Sequence, residues 1–492
     1  VISHSNHIPP IAVLSPTPQF LFIALLVCFC LVNTPSLKAQ TPLSYQEYLL
    51  RVTQNHPTAQ RANLLNDVAA EQIRIAKGNF DPKLHSDWQA KRYNDKIYYS
   101  QFDAELKIPM YFGADLKIGY QLADGYNLNP ADNLPLTGLA AVGISLPLLQ
   151  GLKIDDRRAA LQQARLLKDM NQNERYLTLN DLLFGAALAY WDWIEAYRHL
   201  QIAKEALRLS QLRLIDLKNT VAQGERPAID TIEARLIVQE RRLQLQETTM
   251  EYDLSKINLN NFLWQAQGQQ SSNQANPDFL PTIADTSIIA LPNPSNTSND
   301  WATTIDSHPI LTAYRYKSNS LDIERRLKAN KLLPKLNIQY NFLAKQFNYF
   351  GNEGYGMPLL NNFKWGISAS VPLLFRQERG NLALTELKLK DIDKQTQQKS
   401  REIGNKITAQ TSKINNLVEQ IRIYEQNLRD YQTLLDAENT RFAMGESSVF
   451  LVNSRETKLV EAKQKMISLQ MKYYRARVEL EWAKGKMPQQ IE

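Results

Sequence analysis

Cysteine is almost missing from this chain of 492 residues: there are two, Cys28 and Cys30, and both sit in one apolar run from Phe20 to Val32. A disulfide-stapled fold is thereby excluded. The run is followed by Leu37, Lys38, Ala39 and Gln40, the small-residue stop of a cleaved export signal, so residues 1–39 are expected to leave and the mature chain to hold no thiol. A metal site at Cys-x-Cys would be lost with that segment. Glycine is scarce too, 18 in all, and no G-x-G-x-x-G, P-loop, G-x-S-x-G or H-E-x-x-H occurs. Nucleotide cradles, serine-hydrolase elbows and zinc-protease helices have no starting point, and no enzyme, cofactor or metal is expected. Nor is there much charge of one sign: 57 Lys and Arg against 50 Asp and Glu leave +7, in runs no denser than pairs such as Arg157-Arg158 and Arg241-Arg242. That argues against nucleic acid. Past residue 40 no apolar stretch reaches the ~20 residues of a membrane helix, so a membrane location would require a closed β-barrel.

What the chain does contain is one unit twice. His56-Pro57 and Pro82-Lys83-Leu84 recur as His308-Pro309 and Pro334-Lys335-Leu336 at an offset of 252. Ser145-Leu146-Pro147-Leu148-Leu149 answers Ser370-Val371-Pro372-Leu373-Leu374 at 225, and Gly224-Glu225 answers Gly445-Glu446 at 221. The anchors keep their order, so the chain divides into a first repeat at 40–264, a Gln-, Asn-, Ser- and Pro-rich linker at 265–307 and a second repeat at 308–492. With 43% hydrophobic residues it can bury a large core, here expected as one elongated duplicated body rather than the three domains its length suggests.

Within each repeat the predicted order is helix, strands, long helix, tight turn, helix. Ser44 and Glu47 have capping-box spacing and begin a first helix running toward Asn79. Beyond Pro82 and Pro334 the period becomes two: Leu84, Ser86, Trp88, Ala90 alternate with His85, Asp87, Gln89, Lys91, and Leu336, Ile338, Tyr340, Phe342 alternate with Asn337, Gln339, Asn341. The segments around Phe102, Leu116, Val142 and Phe363 repeat the pattern, with one apolar face throughout. From about Asp155 to Gln223, and from Arg379 to Met444, heptads take over. Leu182, Ala186, Ala189, Trp193, Ala196 and Leu200 continue to Val221, and a second seam in the same register runs from Ile403 to Phe442 with Gln410 and Glu438 as breaks. Such seams predict coiled-coil packing. Return arms carry an apolar residue every seventh position: Leu236, Leu243, Met250, Ile257, Trp264, and Leu459, Met466, Tyr473, Leu480. They are shorter than the outgoing arms, and the first helix of each repeat is expected to stack end to end on one and cover the missing length.

A few strands cannot close a barrel alone, so several chains must each contribute a section of wall, apolar face to lipid and polar face to a watery lumen. The hairpins, studded with Arg157, Arg208, Arg213 and Arg241, must project into water. These duplicated anchors together resemble the TolC-like outer-membrane efflux proteins over nearly the whole mature chain. The fold so implied is mainly α with a membrane β-barrel section: long coiled-coil hairpins forming a periplasmic tunnel, and short strands contributing to a homotrimeric barrel. The resemblance also implies the outer membrane of a Gram-negative bacterium. It implies a periplasmic adaptor (membrane fusion) protein and an inner-membrane RND or ABC transporter as partners, passage of small toxic compounds or proteins, and no chemistry in this subunit. A soluble periplasmic coiled-coil adaptor or spacer is the competing class, but it leaves the alternating strands without a role.

Two departures from the family pattern stand out. The offset falls from 252 to 225, so the first repeat holds 27 extra residues between Leu84 and Ser145. These predict an added hairpin, pairing 100–110 with 113–122, beyond the usual four strands per chain, either widening the barrel or forming an external flap. The family's gate carboxylates would fall at Leu451 and Ser454, while the first repeat has Asp230 and Glu233 at the matching places. An apolar constriction with acidic residues nearby is expected, against the plainer reading of Asp230 and Glu233 as first-turn residues favoured by the helix dipole. Gly224, Glu225, Gly445 and Glu446 are the candidate adaptor contact, or else simple turn residues. His56 and His308 look like a metal pair, yet each precedes proline, which points to a helix boundary. Tyr190, Trp191 and Trp193 read as packing rather than a ligand box.

Overall fold

The computed structural model describes residues 41–126, 128, 134–264, 279–282, 307–345 and 362–490. The expected export signal and most of the linker lie outside these residues. A short strand, β1 (Thr41–Leu43), leads into α1 (Tyr45–Asn55) and α2 (Pro57–Gly78). Ser44 caps α1 by accepting from the Glu47 amide at 3.3 Å. The single first helix read from the sequence is thus two, because Pro57 has no amide to donate and pushes His56 into extended backbone (φ −68°, ψ 132°). His56 then caps α2, its Nδ1 accepting from the Thr58 amide at 3.1 Å. His308 does the same for α5 (Pro309–Asn330), accepting from Ile310 at 3.2 Å. The helix-boundary reading of both histidines holds.

The strands follow: β2 (Lys83–Tyr93), β3 (Lys96–Pro109), β4 (Asp115–Asp124) and β5 (Leu139–Pro147) in the first repeat, β7 (Lys335–Lys345) and β8 (Phe363–Ser370) in the second. They form one six-stranded antiparallel sheet in the order β2-β3-β4-β5-β7-β8. The anticipated extra hairpin is present, pairing Ser100 with Asp124 through Pro109 with Asp115. A single chain therefore supplies six strands where the family pattern implied four. Asn94 and Asp95 make the β2–β3 turn with φ of 49° and 54°, as a two-residue hairpin whose twist matches its strands requires. The period of two orders the faces across the whole sheet. Leu84, Leu106, Ile118, Val142, Phe342 and Phe363 fall in one register row, and Lys83, Lys107, Lys117, Asn341 and Lys364 share the neighbouring row on the opposite face.

Each repeat ends in a hairpin: α3 (Asp156–Ala222) with α4 (Ile229–Asn260), and α6 (Arg376–Ala443) with α7 (Val449–Ala483). At ~1.5 Å per residue the 67-residue α3 is roughly 100 Å long and the 32-residue α4 about half of that. The end-to-end stacking is observed. His56 at the start of α2 lies on Phe262 just past α4, with ring centroids 6.0 Å apart. At the corresponding joint, His308 lies 3.1 Å from the Ala483 carbonyl that ends α7. α2 then continues along α3, and α5 along α6 and α3. The core sits where these joints meet, around Leu183, Tyr190, Trp193 and Ile194 of α3, Leu259 of α4 and Met471 of α7. Tyr190 donates its hydroxyl proton to the Leu43 carbonyl at 3.0 Å. Burying such a side chain contributes about 1.5–3 kcal/mol, so the aromatic cluster is packing, as read. β1 pairs in parallel with β6 (Phe279–Pro281), which pins part of the linker beside this core.

Sheet and rods are joined by charge. Arg157 at the start of α3 bonds Asp115 of β4 at 2.8 Å, and at the same end Lys331 after α5 ties rod to rod by reaching Asp156 of α3 at 2.6 Å. The seam of α3 is buried from Leu182 through Leu217 with Leu207 and Leu214 half-buried, and no seam position of α6 is exposed. The return arms differ. On α7, Leu459, Met466 and Tyr473 are buried as expected. On α4 the seventh-position row is exposed, Leu236 at 58%, Leu243 at 63% and Met250 at 59%. The buried face of α4 is instead Ala234, Val238, Arg241, Thr248, Ser255 and Leu259. The large apolar residues of the seventh-position row are left on the exposed side.

Candidate functional site

The tips of the two hairpins are built alike. At the first, Gly224 donates its amide to the Val221 carbonyl (3.0 Å) and Glu225 to that of Thr220 (3.1 Å); at the second, Gly445 donates to Phe442 (3.1 Å) and Glu446 to Arg441 (2.9 Å). This is a Schellman closure with glycine in the left-handed region, φ +78° and +80°. Glu225 and Glu446 are exposed. Beyond the turns α7 is capped by Ser448, which accepts from the Leu451 amide at 3.4 Å, whereas α4 starts after Pro227 with no side-chain cap.

One turn inside each tip lie the residues expected at a constriction. Asp230 and Glu233 are half-buried on α4, without an ion pair among the described residues, and Leu451 and Ser454 are exposed on α7. They stand at matching depths on the two hairpins. In the same turns α7 is buried instead through Val449 and Val452; Val449 packs with Leu217 and Ala234 of the first hairpin.

What the sequence did not reveal is a set of ties from hairpin to hairpin. Arg226, beside the first tip, donates to the Phe442 carbonyl at 3.0 Å and sets its guanidinium 3.8 Å from the centre of the Phe442 ring. Arg213 binds Asn453 and the buried carboxylate of Glu456, and Arg241, itself buried, reaches Thr457 at 2.8 Å. Within the second hairpin, Glu438, a break in the α6 seam, is buried and accepts from Ser447 at 2.5 Å with Arg455 at 3.8 Å. Its seam position was the one available signal, since a charge at a core heptad position needs a partner; the arginines that tie hairpin to hairpin carried none. Behind these ties an open groove of about 830 Å³ runs between the hairpins, lined by Leu209, Leu212, Leu435, Phe442, Glu456 and Val460. Among the described residues, no helix is long and apolar enough to cross a membrane.

Two rods of paired helices carrying a sheet with an apolar and a polar face are a recognisable architecture. Residues 303–486 match the family model "Outer membrane efflux protein". In fold, the chain is similar to the outer membrane protein VceC of Vibrio cholerae (14% identity, 90% of this chain and 96% of that one, TM-score 0.60). It is similar to the CmeC outer membrane channel of Campylobacter jejuni (12%, 98% and 94%, 0.62) and to the open state of the MtrE outer membrane channel of Neisseria gonorrhoeae (12%, 90% and 88%, 0.63). No curated protein sequence matches the chain. The resemblance drawn from the duplicated anchors thus holds: the second repeat matches the outer membrane efflux protein model, and the chain as a whole carries the fold of the outer-membrane channels.

Proposed function

We propose that the protein is the exit duct of a tripartite efflux or type I secretion assembly. Three copies join their sheets in the outer membrane and their rods in the periplasm of a Gram-negative cell, and small toxic compounds or proteins pass through without chemistry. The pump, of RND or ABC type, and the periplasmic adaptor are separate chains. The observation that carries this reading is the pair of surfaces one copy leaves uncovered: a sheet with two open edges and an apolar face, and the large apolar residues along α4. Neither is tolerable in a monomer, since bare edges aggregate and cannot be solvated in lipid, and both are satisfied by neighbours of the same kind. The exposed tips at Gly224, Glu225, Gly445 and Glu446, with the groove behind them, are the surface offered to the adaptor. Rings of Asp230, Glu233, Leu451 and Ser454 would narrow the periplasmic end.

Fractionation and planar bilayers test this. Heat-modifiable trimers in the outer membrane that form ion-conducting pores are expected. A monomer released by osmotic shock and inert in bilayers would instead make the chain a periplasmic spacer.

A further inference from the structure

The strand section carries one more step, resting on the reading of three copies around one barrel. β2 and β7 begin at equivalent places, Pro82-Lys83-Leu84 and Pro334-Lys335-Leu336, and β5 and β8 end at equivalent places, Ser145-Leu146-Pro147 and Ser370-Val371-Pro372. Among the described residues β3 and β4 have no counterpart in the second repeat. They do not hang from an edge. β3 is hydrogen-bonded to β2 on one side and β4 on the other, and β4 to β3 and β5. The insertion therefore lies in the middle of the wall, between the two strands that the repeat has in common. It also keeps the faces in phase: the row from Leu84 to Phe363 runs unbroken through Leu106 of β3 and Ile118 of β4.

The two edges suit each other. Directions alternate along the sheet, so β8 runs opposite to β2 and can continue the antiparallel order when set beside the β2 of another copy. Both edge strands leave their apolar rows bare, Leu84 and Trp88 at 76% and 75%, Trp365 and Ile367 at 62% and 58%. Those rows lie on the same face of the sheet, the one that lipid would cover. A six-stranded section is also too narrow to close on itself, since about eight strands make a barrel already filled by its own side chains.

We propose that β8 of each copy pairs with β2 of the next and that three six-stranded sections close one barrel of eighteen strands, with β3 and β4 inside the wall. Barrel diameter grows about linearly with strand number, so this mouth is roughly half again as wide as twelve strands would make it, in the range where the interior is an aqueous channel. The barrel then imposes no size limit of its own, and discrimination falls to the helical end.

Cysteine pairs read the junction directly. Ser86 or Ala90 on β2, changed to Cys together with Trp365, Ile367 or Ala369 on β8, should give covalent dimers and trimers in outer membranes under mild oxidation. Neither change alone should do so. Density for the unaltered trimer, sectioned through the membrane, should show eighteen strands. Trimers that never cross-link in any combination, or a twelve-strand wall with a hairpin outside it, would overturn the eighteen-strand barrel and leave the duct intact. A protein that stays monomeric would remove both.

Discussion

Gly224 and Gly445 show that space does not decide a hairpin tip. A Cβ at either position would meet nothing within 4 Å, yet φ near +80° is left-handed backbone that costs any other residue about 1–2 kcal/mol. Gly445→Ala should therefore leave the rods folded and raise amide exchange around residues 440–450 by about 5–30-fold, the factor equivalent to that cost. His308 makes a second case. Its Nδ1 accepts from Ile310, so the proton sits on Nε2, which donates to the Ala483 carbonyl. Burial holds the ring below its ordinary value of 6.5, so the unfolded chain takes up the second proton more readily. The contribution of this joint to stability is full above about pH 6.5 and falls as the pH drops toward the lowered folded value. Thermal melting at pH 7.5 and 5.5 should show that loss, and His308→Asn, which can still cap α5, should reduce it. Both histidines were legible as helix boundaries because the following proline acts locally. Arg226 on Phe442 was not, since the partners are 216 residues apart and nothing near either one announces the other.

Among the elements, α4 is the one whose pattern misled. Its row of Leu236, Leu243 and Met250 has the period of a hairpin seam, but a helix can carry two seams, and period alone does not say which faces its neighbour in the chain. Charging the outer row tests its role. Leu243→Asp with Met250→Asp should leave helix content unchanged by circular dichroism while abolishing the trimer on size-exclusion chromatography in detergent. Should the trimer survive, the row is not an interface. In the sheet, the joint between repeats depends on Gly143 of β5, where a Cβ would come 1.8 Å from the Asn341 side chain and 2.6 Å from the Tyr340 carbonyl of β7. The backbone oxygen cannot swing aside. Gly143→Val should force β5 from β7 and sharply reduce heat-modifiable trimer in outer-membrane fractions, whereas Gly366→Ala on the edge strand β8, with open space around it, should not.

At the scale of the whole molecule the hairpins are held differently along their length. At mid-length, where the end-to-end joints lie, they share an aromatic and aliphatic core; near the tips they are tied by Arg213, Arg226 and Arg241 across a partly polar interface. If Asp230 lines the duct, Asp230→Ala should lower cation preference in planar bilayers; unchanged selectivity would leave it a helix-dipole residue only. The duplication, the heptad seams, the two tips and the added hairpin were all determined by the sequence alone, because each rests on local periodicity or on one segment repeating another. Only the tertiary structure decided that the hairpin enters the middle of the sheet, that α4 turns its large residues outward, and which charges bind rod to rod. Those outcomes depend on how segments hundreds of residues apart compete for the same neighbours, and a local pattern carries no record of that competition.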